Sequence, residues 1–64
     1  MSIASMVAIN SLRIGEDVIV IKAESDNYNR IGEVCKIRND EPVNISVSFD
    51  GEIYSYFPED LKLA

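Results

Sequence analysis

Asp50 and Glu52 flank a single glycine, and two carboxylates held close together are the simplest acid–base pair a chain can offer. The same residues have a plainer use. Asp-Gly is the pair that a two-residue hairpin turn requires, because the turn needs positive φ and both residues tolerate it. The turn reading accounts for Asp50 without any chemistry. Cys35 is the one thiol in the chain. It lies inside an apolar stretch, which predicts a small buried hydrophobe. A reactive thiolate would need an exposed, electropositive site, and Lys36, one residue on, points to the opposite strand face.

There is no histidine, so the commonest general base is missing and a lone thiol cannot build a common zinc site. No G-x-S-x-G, P-loop, G-x-G-x-x-G or Cys-x-x-Cys occurs. The expectation is a chain that is not an enzyme and that uses no metal and no cofactor. Tyr28, Tyr54 and Tyr56 could line an aromatic groove for proline-rich ligands, or could simply pad a thin core.

Charge narrows the partners. The net charge is −5, and residues 1–38 are balanced, with five basic and five acidic side chains. Residues 39–64 carry six acids against Lys62 alone, so the whole deficit lies there. An acidic domain repels phosphate backbones unless it has a local basic patch. Lys22, Arg30, Lys36 and Arg38 could form a small one but read more simply as solvated positions. Stacking on bases would need cations interleaved with the aromatics, and residues 40–60 contain none. These features argue against nucleic acid and for a protein partner. No apolar run approaches the roughly 20 residues that span a bilayer. Residues 1–12 lack a basic n-region, which argues against a signal peptide and for an intracellular, cytoplasmic chain without membrane insertion.

The elements that must position these residues are strands. Four β-branched residues, Val18 to Ile21, favour a first strand over Asp17 to Lys22. Residues 23–30, rich in Ser, Asp and Asn, read as a loop. A second strand covers Ile31 to Arg38, with Gly32 marking a bulge or a close backbone approach. Asn39 to Pro42 is a turn. In a third strand, Val43, Ile45, Val47 and Phe49 face one way, and Asn44, Ser46 and Ser48 the other. After Asp50-Gly51, a fourth strand returns with Ile53, Ser55 and Phe57 alternating against Tyr54 and Tyr56. Pro58 to Leu61 reads as a turn of 3₁₀ helix, with proline at its first position and acids at its positive end. Leu61 and Leu63 supply a last short strand. This order predicts an all-β fold, a small five-stranded SH3-like barrel over residues 13–64, with residues 1–12 as an N-terminal extension. Val18, Val20, Val34, Ile45, Val47, Phe49, Ile53, Phe57 and Leu61 form the expected core.

Residues 15–34 read G-E-D-V-I-V-I-K-A-E-S-D-N-Y-N-R-I-G-E-V. This stretch resembles the photosystem I subunit IV family, whose pattern is a glycine, a short β-branched strand, a basic residue and then P-E-S-Y-W-Y-N-x-V-G-T-V. Gly15, Val18, Glu24, Ser25, Tyr28, Asn29, Gly32 and Val34 fall on matching positions without a gap. Phe57 to Leu61 is similar to the family's ending. Ala23 replaces the proline, and Asp26-Asn27 replaces the aromatic pair. The resemblance implies a small SH3-like barrel, a peripheral accessory subunit on the cytoplasmic or stromal face of a thylakoid electron-transfer complex. The alternative is a generic SH3- or KOW-like adaptor for a protein or ribonucleoprotein partner. In either case the longest loop carries recognition. Glu24, Tyr28, Asn29, Arg30 and Arg38 are the expected partner-binding set, since Arg and Tyr bury large areas while keeping polar reach.

Overall fold

The computed structural model describes residues 12–64. The expected N-terminal extension lies outside them except for its last residue, Leu12, which is buried in the core. Five strands follow in chain order: β1 (Asp17–Val20), β2 (Ile31–Arg38), β3 (Asn44–Phe49), β4 (Glu52–Tyr56) and β5 (Leu61–Leu63). A 3₁₀ turn, Pro58–Asp60, links β4 to β5. The strands form one sheet in the order β4-β3-β2-β1-β5, antiparallel throughout. β4 and β5 are its two edges. There is no α-helix among the described residues, and no helix is long and apolar enough to cross a membrane.

Local chemistry explains the connections. Asp50 and Gly51 both take positive φ, 53° and 91°, so the hairpin turn twists with its strands. Asp60 accepts the N–H of Phe57 at 3.1 Å, closing the start of the 3₁₀ turn where proline has no N–H to lose. β1 is shorter than expected. After Val20 the chain leaves the sheet, and the Ile21 N–H donates to the Asp60 carbonyl at 2.8 Å, tying β1 to the 3₁₀ turn.

Leu12, Val18, Val20, Val34, Ile45, Val47, Phe49, Tyr56 and Leu61 build the core, with Ile37 packed against it. Two expected members are outside. Ile53 is 63% exposed and Phe57 40% exposed, while Tyr56 is buried. The reason is register. A two-residue turn pairs Phe49 with Glu52, Val47 with Tyr54 and Ile45 with Tyr56, and residues directly opposite share a face. Tyr54 and Tyr56 therefore lie on the inner face, and Ile53 and Ser55 on the outer.

Cys35 is also displaced from its expected place. The β2–β3 register skips between Val34 and Lys36, so Cys35 is the extra residue of a bulge. It is exposed, its thiol 3.5 Å from the Ser46 carbonyl oxygen. The bulge also switches the parity of β2. Gly32 and Val34 point inward before it, and Ile37 takes the inward position after it, opposite Ile45. At Gly32 the backbone passes so close to β3 that a Cβ would lie 2.6 Å from Val47 Cγ1 and 2.8 Å from the Ser48 carbonyl oxygen.

Candidate functional site

Residues 23–30 lie in the longest irregular segment between strands, and their C-terminal end is pinned to β1. The Asn29 N–H donates to the Val20 carbonyl at 2.8 Å, and the Val20 N–H to the Arg30 carbonyl at 3.1 Å. Asn29 has φ of 70°, a left-handed conformation that asparagine tolerates better than most side chains. Within the loop, the Tyr28 N–H donates to the Ser25 carbonyl and the Arg30 N–H to the Asn27 carbonyl.

Asn27 is the clamp. It is the one buried polar residue among those described, 3% exposed. Its Nδ2 donates to the Tyr56 hydroxyl at 3.0 Å, its Oδ1 accepts from Arg30 Nη1 at 2.8 Å, and its backbone N–H donates to Ser25 Oγ at 3.0 Å. Ser25 Oγ also lies 2.8 Å from the Tyr56 hydroxyl. Among the described residues every buried side-chain nitrogen and oxygen has a partner. That completeness matters, because a buried amide without partners would cost about 1–3 kcal/mol. The loop is thus fastened to β4 by a four-residue network rather than resting on it.

The network continues outward through aromatic rings. The Arg30 guanidinium sits 5.0 Å from the centre of the Phe49 ring, within cation–π range. Phe49 meets Tyr54 edge to face, with centroids 5.9 Å apart and planes at 70°. The Tyr54 hydroxyl donates to Glu52 Oε1 at 3.2 Å. This bond to the carboxylate, reinforced by its negative charge, raises the Tyr54 phenol above its ordinary value, with Arg30 acting weakly in the opposite sense.

Of the expected partner-binding residues, Glu24, Tyr28, Asn29 and Arg30 come together in this loop. Arg38 does not join them. It closes β2, and eight residues of extended chain carry it roughly 26 Å from Arg30. There it pairs with Asp40 at 3.3 Å, with both side chains mostly in water. Asn29 and Arg30 are engaged in holding the loop, whereas the side chains of Glu24 and Tyr28 are exposed and have no hydrogen-bonding partner among the described residues. Sequence reasoning gave Asn27 no role, and it named Ser25 only as a matched position and Tyr56 only as a groove or padding residue. The S-x-N spacing of Ser25 and Asn27, which suits a side-chain-to-backbone turn, and the hairpin register together could have found them.

Between the loop and β4 lies an open groove of about 310 Å³. Tyr54, Ser55 and Tyr56 form its β4 side, and Lys22, Glu24 and Asp26 its rim. Asp50 stands in the hairpin turn, and Glu52 on β4 accepts from the Tyr54 hydroxyl. No group of three His, Cys, Asp or Glu side chains among the described residues could hold a metal ion. The surface offers hydrogen bonds, aromatic edges and negative charge.

The structure defines a class: a small all-β domain, one open antiparallel sheet of five strands whose longest loop is clamped onto an edge strand. No protein-family model matches the chain, and no curated protein or solved structure matches it.

Proposed function

We propose that this chain is a non-catalytic docking module, built on an SH3-like barrel in a partly open form, that binds a protein partner through the loop of residues 23–30 and the adjoining face of β4. One observation carries the reading. The loop is held rigid from below by Asn27, Ser25 and Tyr56, while Glu24, Tyr28 and Tyr54 project from it and beside it into solvent, Tyr28 52% and Tyr54 41% exposed. Exposed side chains on an ordered backbone are what a preorganised binding surface needs, since little entropy remains to be lost on docking. The strand order and the 3₁₀ turn before β5 support the barrel assignment.

The resemblance to the photosystem I subunit IV family suggests a particular form of this function, a peripheral accessory subunit of a photosynthetic electron-transfer complex on the cytoplasmic or stromal face of a thylakoid. Six of its eight matched positions have structural work. Gly15 turns at φ 94°, Val18, Gly32 and Val34 are buried, Ser25 bonds Tyr56, and Asn29 takes its left-handed turn. These six support a shared fold. Only Glu24 and Tyr28 are matched and exposed without structural work, so the photosystem version rests on those two. The acidic balance weighs against an adaptor for ribonucleoprotein.

The test is affinity capture from solubilised thylakoids and from cytosol, with the wild-type chain and a Tyr28→Ala variant of unchanged thermal stability. Capture of photosystem I core subunits that is lost in the variant supports the specific form. Tyr28-dependent capture of another defined complex supports the docking module alone. Absence of any Tyr28-dependent partner refutes both.

A further inference from the structure

We propose that the outer edge of β4 takes a basic, extended segment of the partner protein as a sixth strand of the sheet, a step that rests on the docking reading and names the chemistry of what docks. The backbone pattern is the first argument. Flanking a two-residue turn, Phe49 and Glu52 form a hydrogen-bonded pair, and the pairs alternate from there. Glu52, Tyr54 and Tyr56 spend their N–H and C=O groups on β3. Ile53 and Ser55 direct theirs away from the sheet, and among the described residues β4 has no second strand neighbour. At the end of the edge, the Phe57 N–H is already taken by Asp60, which limits the free stretch to Ile53 and Ser55.

Side chains and charge select the occupant. Ile53 lies 63% exposed beside the free backbone, an apolar contact without a partner among the described residues. Glu24 and Asp26 on the groove rim and Glu52 on β4 outnumber the cations beside them, Lys22 and Arg30. A strand carrying Lys or Arg on one face and apolar residues on the other matches both features. A second copy of this chain does not. It would bring its own Glu24, Asp26 and Glu52 to the same groove, at a net charge of −5 per chain. Acidic residues at an edge guard against self-pairing in this way while leaving the edge open to a cationic strand. The opposite edge, β5, is three residues long and carries Lys62, so it offers neither the length nor the charge.

The experiment is an amide NMR titration of the full chain with two capped peptides, one of alternating lysine and valine, the other of alternating glutamate and valine. The lysine peptide is expected to shift the Ile53 and Ser55 amides and slow their hydrogen exchange, with binding weakened by added salt. Ile53→Lys, at an exposed position that leaves the unfolding temperature unchanged, is expected to weaken it about tenfold through lost apolar contact and added like charge. Shifts confined to Tyr28 and its loop overturn strand addition while leaving the docking reading intact. Equal response to both peptides, or none at Ile53 and Ser55, overturns it as well. Self-association in sedimentation that Ile53→Lys abolishes makes a second copy the occupant and also refutes the proposal.

Discussion

Tyr56→Phe removes one oxygen and tests the reasoning behind the clamped loop. That hydroxyl lies 3.0 Å from Asn27 Nδ2 and 2.8 Å from Ser25 Oγ. Tyr56 is 7% exposed and Asn27 3%, so water does not readily replace what is lost. Each hydrogen bond contributes about 1 kcal/mol net, and a buried amide donor left without an acceptor adds about 1–3 kcal/mol of desolvation cost. The ring itself stays, so no cavity term enters. The expected destabilisation is about 2–3 kcal/mol. A domain of this size has only about 3–10 kcal/mol in total. At about 4–8 °C per kcal/mol, the midpoint should fall by roughly 10–20 °C. Urea and thermal unfolding measure it, and amide exchange should accelerate across residues 23–30 before the strands open. The double variant Asn27→Ala/Tyr56→Phe should cost less than the sum of the two single changes, because Tyr56→Phe harms chiefly by orphaning Asn27. A loss under about 0.5 kcal/mol for Tyr56→Phe, or strict additivity, would refute the network account.

Three further expectations follow from named contacts. Gly32→Ala places a methyl 2.6–2.8 Å from Val47 and the Ser48 carbonyl, so β2 and β3 must part; about 1–3 kcal/mol should be lost in chemical denaturation, and an unchanged midpoint would show that the strands lie further apart. Tyr54 titrates above the ordinary 10.0 because it donates to Glu52, and a folded-state value raised in this way stabilises below the unfolded value and is lost as pH climbs through the folded one. In a phenolate absorbance titration Glu52→Gln should bring Tyr54 back towards 10.0, and an unmoved curve would remove the bond from the account. Cys35, exposed on its bulge, should react with a thiol-specific disulfide reagent in the folded protein, whereas protection until denaturation would restore the buried placement that its neighbours suggest.

The elements that depend on local backbone preference could be read from the chain alone. β-branched runs marked β1, Asp50-Gly51 marked the hairpin, Pro58-Glu59-Asp60 marked the 3₁₀ turn, and alternation in β3 put Ile45, Val47 and Phe49 in the core. Each follows from torsional freedom within a few residues. The facing of β4 is also encoded, because a two-residue turn pairs Phe49 with Glu52, whereas apolar character alone favours Ile53 and Phe57 as the inward residues. Register outweighs hydrophobicity there, since a one-residue slip moves every side chain to the other face.

Other features depended on strands distant in sequence. The bulge at Cys35 exists only because β2 must pair with β3 on both sides of it, and it alone decides that Ile37 rather than Lys36 turns inward. Asn27 looks like any loop polar residue until Tyr56, 29 positions away, arrives to bond it. Arg30 and Arg38 look like neighbours on one interface until an extended β2 sends them to opposite ends of the sheet. Local sequence sets the torsions each segment can adopt, whereas burial and side-chain partnership are properties of pairs, settled only when the sheet brings those pairs together.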